Sequence, residues 1–164
     1  MSLLDVLQQA VKANAQQAGH HYDQAVNHAT RDDLARGVSG VFRAPETPPF
    51  DQMVGQLFGN SNNVQQAGVL NQLLRAAGPA IAAAVAGGAL KNVLAGGKAQ
   101  VTPADASKVT SEEVQVLAKQ AETQYPGIVD KLGKFYADNP ALVKTIGGAA
   151  LLVLLSKMKE GMRD

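Results

Sequence analysis

At 164 residues the chain is long enough to bury a sizeable core as one domain or two small lobes. Its content is 46% hydrophobic but only 4% aromatic, so that core is built from Ala, Leu and Val rather than from large rings. A formal net charge of +1, with no concentrated basic face and no stacking aromatics, argues against nucleic acid as a partner, and the absence of cysteine excludes disulfides, thiolate nucleophiles and Cys-ligated metal centres.

The opening Met1-Ser2-Leu3-Leu4-Asp5 lacks the basic start, long apolar run and small-residue cleavage site of a secretory signal, and the expectation is a mature, cytoplasmic chain. Ser2 with Asp5 has capping-box spacing. Leu3, Leu4, Leu7, Val11 and Ala15 then recur at helical intervals until Gly19 offers a stop. Thr30 with Asp33 repeats the capping pattern ahead of Leu34, Val38, Val41 and Phe42. Pro45, Pro48 and Pro49 break the chain, because each lacks an amide donor and restricts the residue before it. Phe50, Met53, Val54, Leu57 and Phe58 carry the next helix. Residues 59–62 form a turn that can cap another, through Val64, Ala67, Leu70, Leu74 and Ala77 to Gly78.

Residues 79–94 are apolar nearly all round, a pattern that calls for burial in protein or lipid. Gly96 and Gly97 open a linker. Thr102-Pro103 and Thr110 with Glu113 are two further helix starts, the second with Val114, Leu117 and Ala121 on its inner face. Tyr125-Pro126 breaks the chain again before the amphipathic stretch Ile128, Val129, Leu132, Phe135 and Tyr136. Asn139-Pro140 is expected to start a last helix running to about Met158. No run reaches the roughly 18 to 20 apolar residues of a spanning helix; the nearest, 141–155, is interrupted by Lys144. The expected fold is all-α, a compact multi-helix bundle of about seven or eight short helices with buried Gly/Ala-rich members. It divides into an N-terminal segment, 1–44, and a main helical domain, 45–164, which can also form one continuous domain.

Ligand-type side chains gather only around His20, His21, Tyr22, Asp23, His28, Asp32 and Asp33. On a continuous helix His21, His28 and Asp32 share one stripe, and two imidazoles with a carboxylate suit a first-row metal ion if another chain or helix completes the shell. The alternative is a solvated polar segment interrupted at Gly19 and Thr30. Gly37-Val38-Ser39-Gly40-Val41 is not a nucleophile elbow, for it lacks the final Gly and the preceding strand. The stretch ending Gly97-Lys98-Ala99 is not a phosphate loop, since Ala99 has no hydroxyl for a metal and Asn92 stands at the first Gly position. Glu112 and Glu113 suit the positive end of a helix better than acid/base work. No catalytic constellation and no cofactor site is legible.

Two binding features remain. Gly55 and Gly59, and Ala80, Ala84 and Gly88, form small-residue stripes that let a helix approach closely, in the core, in a self-association interface or in a membrane. The stretch 142–155, ending in Lys157, Lys159 and Arg163, reads either as a core helix with a charged tail or as an anchor that meets anionic headgroups. A faint echo between Gly78-Pro79-Ala80-Ile81 with Gly87-Gly88 and Asn139-Pro140-Ala141-Leu142 with Gly147-Gly148 reflects similar close-packing demands on two stretches.

The runs Thr47-Pro48-Pro49-Phe50, Met53-Val54-Gly55-Gln56-Leu57-Phe58-Gly59, Ala67-Gly68-Val69-Leu70-Asn71-Gln72-Leu73-Leu74, Phe135-Tyr136-Ala137 and Leu142-Val143-Lys144-Thr145-Ile146-Gly147-Gly148-Ala149-Ala150 resemble a group of bacterial helical proteins, distantly YidB-like. The resemblance spans residues 34–158 and implies a single evolutionary unit. The group has no assigned activity, so it places no functional role on these positions. The expected function is non-enzymatic: protein contacts, self-association above all, with a membrane surface and a metal as the alternatives.

Overall fold

The computed structural model describes residues 2–10, 12, 14, 16–78, 91–92 and 100–162. These residues are all-α, with no strand among them. They form ten α-helices, more than the seven or eight expected: α1 (Leu3–Ala10), α2 (Ala18–His28), α3 (Arg31–Arg43), α4 (Phe50–Gly59), α5 (Asn63–Ala77), α6 (Pro103–Ala106), α7 (Ser111–Gln124), α8 (Ile128–Ala137), α9 (Pro140–Val143) and α10 (Gly148–Met162), with a 3₁₀ turn at Lys144–Ile146. Their contacts divide the chain into two compact units, Met1–Pro49 with Leu132–Asp164, and Phe50–Lys131. The first junction lies at the end of the proline-rich break, the second within α8.

The helix starts follow from side chains that satisfy the first free amides. In the capping box of α1, the Asp5 amide donates to Ser2 Oγ and the Ser2 amide to Asp5 Oδ2, both at 3.2 Å. Thr30 with Asp33, Asn62 with Gln65, Thr102 with Asp105, and Thr110 with Glu113 close the same reciprocal pair, each cap contributing about 1 kcal/mol.

In the first unit α10 packs on α3, α1 and α2, and α1 on α2. The buried face of α10 is Ala150, Leu151, Leu154, Leu155 and Met158, so the stretch read as core helix or anchor places its apolar side in the interior of this unit. Three glycines let helices approach closely here. A Cβ on Gly37 would stand 2.5 Å from Met158 Cγ and 3.2 Å from the Leu154 carbonyl oxygen, and one on Gly40 would stand 2.6 Å from Lys157 Cβ. A Cβ on Gly133 would collide with Ser39 Oγ and lie 2.9 Å from the Ala35 carbonyl oxygen.

Two expectations for this unit are corrected. Gly19 is not a stop: it lies inside α2, at a position where a Cβ would stand 3.2 Å from Lys144 Cε. Nor does one helix run from Pro140 to Met158. The chain tightens into the 3₁₀ turn and reverses at Gly147, whose φ of +98° an L side chain rarely adopts, before α10 begins.

In the second unit α4 and α5 pack on α7, and α5 also on α6. Phe50, Met53, Val54, Leu57 and Phe58 of α4, Leu70, Leu73 and Leu74 of α5, and Val114, Leu117, Ala118 and Ala121 of α7 are buried, each large aliphatic contributing about 1.5–3 kcal/mol of transfer free energy. Asn71 of α5 brackets the chain entering α6: its Oδ1 accepts from the Val101 amide at 2.7 Å and its Nδ2 donates to the Val101 carbonyl at 3.2 Å. The apolar stretch 79–94 lies outside the described residues except Lys91 and Asn92, which are helical and exposed. Among the described residues no helix is long and apolar enough to cross a membrane.

Candidate functional site

The three candidate metal ligands stand on two helices. His21 and His28 belong to α2, which ends where Ala29 turns extended at φ −93° and ψ 149°; Asp32 is in the first turn of α3. The continuous stripe that would align them is therefore broken at Ala29. His28 and Asp32 are exposed and His21 is half-buried, with Nδ1 buried and without a hydrogen-bond partner among the described residues. The His20 ring meets the His21 ring edge-on at 5.8 Å. Among the described residues no group of three or more His, Asp or Glu side chains gathers in a way that can hold a metal ion. Asp23, next to this segment, is instead paired with Lys144 at 2.7 Å across an exposed surface.

Of the small-residue positions, Gly55 is buried, and a Cβ there would stand 2.6 Å from Gln115 Cγ on α7. Its close approach is used within its own unit. Gly59 is exposed, and a Cβ there would stand 3.2 Å from Ser111 Oγ. Ala80, Ala84 and Gly88 lie outside the described residues. Ser39, the hydroxyl in the rejected elbow, is buried on α3 facing Gly133, where it serves a helix crossing.

The second unit holds a cleft that the sequence did not announce. Its volume is about 350 Å³ and it is lined by Gln72, Arg75 and Ala76 from the end of α5, by Tyr125, and by Lys131 of α8. The α5 contribution follows from helical spacing: Gln72, Arg75 and Ala76 are three and four residues apart and share one face. The Tyr125 side is fixed by a tight turn. Proline at 126 holds Tyr125 out of the helical region, at φ −148° and ψ 88°. The Ile128 amide donates back to the Tyr125 carbonyl at 3.0 Å, and the Tyr125 ring folds over Gly127, where a Cβ would stand 2.8 Å from Cζ. The Lys131 ammonium then sits 5.3 Å from the centre of the Tyr125 ring, a cation–π contact that restricts it to one wall of the cleft.

Arg75 and Lys131 make no ion pair among the described residues, and no carboxylate is among the described lining residues. Two like charges facing one concavity focus a positive potential there. The signal was hidden in the sequence because Arg75 and Lys131 are 56 positions apart, and a Tyr-Pro break announces a turn without announcing what faces it. Comparison with protein-family models, curated proteins and solved structures found no match to this chain.

Proposed function

We propose that this chain is a non-enzymatic cytoplasmic protein that acts through protein contacts, chiefly by self-association through residues 79–94. The observation that carries the reading is a contrast within one unit. The described helices α4, α5 and α7 turn their apolar faces onto one another, whereas the sequence from Pro79 to Leu94 offers only Lys91 and Asn92 as polar side chains, and such a stretch needs cover. A second copy supplies it, with Ala80, Ala84 and Gly88 as the positions where another helix approaches closely. For the non-enzymatic part the support is narrower: four of the 14 acidic residues, Asp5, Asp33, Asp105 and Glu113, each close a capping box.

Light scattering on a sizing column, with protein purified without detergent, tests the reading through the absolute mass. A discrete multiple of 17.1 kDa that falls to the chain mass in Ala84→Leu or Gly88→Leu is the expected result. A clean monomer overturns self-association, and protein that stays dispersed only in detergent replaces it with a membrane surface as the partner.

A further inference from the structure

The cleft between the end of α5 and the Tyr125–Lys131 segment has the makings of a ligand site that is independent of the proposed self-association. We propose that it binds the oxyanion group, phosphate or carboxylate, of a small organic molecule, held between Arg75 and Lys131. Three features of the lining point there. The first is charge: both cations lack an acidic partner among the described residues, and none of the described lining side chains is acidic. Salt-bridged surface cations gain little from a new anion, whereas these two give up no existing ion pair when one arrives. The second is geometry of recognition. Arginine presents a planar fork of donors that matches two oxygens at once, and lysine a mobile point charge. One of each at a single concavity suits a multi-oxygen anion better than a single halide. The Gln72 amide adds a neutral donor on the same wall.

The third feature is preorganisation. An exposed lysine ordinarily loses side-chain freedom when it grips a ligand. Lys131 is already held over the Tyr125 ring at 5.3 Å, and the ring is itself seated on Gly127, so part of that ordering precedes binding. Size selects against a macromolecule. At about 350 Å³ the cleft sits at the lower end of the roughly 300–1,000 Å³ range of small-molecule sites, with room for an oxyanion and a short carbon skeleton.

The test is a titration of the ¹⁵N-labelled full chain, at fixed ionic strength, with pyrophosphate in one series and citrate in another, followed by amide chemical shifts. The proposal expects saturable shifts at Arg75, Tyr125 and residues 127–131. Arg75→Gln and Lys131→Gln should each weaken binding by about tenfold, the loss of one charge-assisted contact. Lys119→Gln, an exposed lysine of α7 in the same unit that does not line the cleft, should leave the affinity unchanged. Saturation by pyrophosphate alone assigns a phosphate ligand, and by citrate alone a carboxylate. If neither saturates, or if Lys119→Gln weakens binding as much as Arg75→Gln, the cleft is no more than ordinary surface charge and the proposal falls. All three side chains are exposed, and the spectra of the free variants report whether each is folded. The mass measurement that tests self-association is unaffected by these changes, so the two readings fail separately.

Discussion

Tyr22 on α2 donates its phenolic hydrogen to the carbonyl oxygen of Pro140, 2.7 Å away and 118 positions along the chain. That bond joins the N-terminal half of the first unit to the residue that starts α9, and it contrasts with the other buried phenol. Tyr136 lies edge-on to Phe42 and Phe135, yet its hydroxyl is buried without a hydrogen-bond partner among the described residues. Removing the two hydroxyls should therefore have opposite effects. Tyr22→Phe is expected to lose about 1 kcal/mol, the net value of one intramolecular hydrogen bond, and Tyr136→Phe to gain about 1 kcal/mol by removing a desolvated polar group. Urea denaturation of the two variants beside the parent measures the difference; a destabilised Tyr136→Phe would mean that the hydroxyl has a partner after all.

The same two phenols make the fold sensitive to alkali. Burial pushes both above the ordinary phenol range, aided at Tyr22 by the neighbouring Asp23 charge. A raised folded value means that the unfolded chain gives up its phenolic protons first, so stability is complete below the ordinary phenol value, near pH 10, and falls as pH rises beyond it. The limiting slope is about 1.4 kcal/mol per pH unit for each phenol. Stability measured from pH 9 to pH 11 should therefore decline in the parent and decline less steeply in Tyr136→Phe. Parallel curves for the two proteins would refute the assignment to Tyr136.

Gly133 and Ser39 meet at a close helix crossing in the first unit. A methyl group at Gly133 meets both the Ser39 hydroxyl and the Ala35 backbone carbonyl, and the carbonyl cannot rotate out of the way. Gly133→Ala is expected to cost about 1–3 kcal/mol through overpacking, despite the better helix propensity of alanine. At Gly19 the nearest obstruction is Lys144 Cε, 3.2 Å away near the far end of a flexible, partly exposed side chain, so Gly19→Ala should cost clearly less. Melting curves that rank the two in the reverse order would show that the α3–α8 crossing relaxes more readily than its geometry indicates.

Local chemistry was legible in the sequence where a side chain and a backbone amide three residues away settle the outcome between themselves. Ser2 with Asp5, Thr30 with Asp33, and Thr110 with Glu113 form the capping boxes that their spacing predicts. The helical periods of α3, α4, α5 and α8 likewise follow from their apolar spacing. What escaped was decided by tertiary neighbours. Gly19 looked like a helix stop, but helix propensity is a weak prior, and packing of α2 on α1 and α10 overrides it. Gly147 looked like one more small residue in a buried helix, and its positive φ is set by the path the chain must take from α9 into α10. The Arg75 and Lys131 cleft needed three segments to be brought together, and no local rule joins them. The His21, His28 and Asp32 stripe was a correct application of helical period to a helix that ends at His28.

Asn71 and Val101 provide a last test, in the second unit. The Asn71 side chain binds both the amide and the carbonyl of Val101, which stands outside any helix. Val101 is itself buried at 4% exposure, so its backbone groups have little access to water if Asn71 is removed. Asn71→Leu keeps the approximate volume and offers neither donor nor acceptor. It is expected to cost about 2–4 kcal/mol, because two partly buried backbone groups are left unpaired at about 1–3 kcal/mol each, less the gain from burying an apolar side chain. Asn71→Asp keeps the acceptor for the Val101 amide but sets a carboxylate against the Val101 carbonyl, and should fall between the parent and Asn71→Leu at neutral pH. Hydrogen exchange reads the mechanism directly: the Val101 amide should lose protection in Asn71→Leu and retain much of it in Asn71→Asp. Unchanged protection in Asn71→Leu would show that the chain entering α6 is held by its apolar contacts alone.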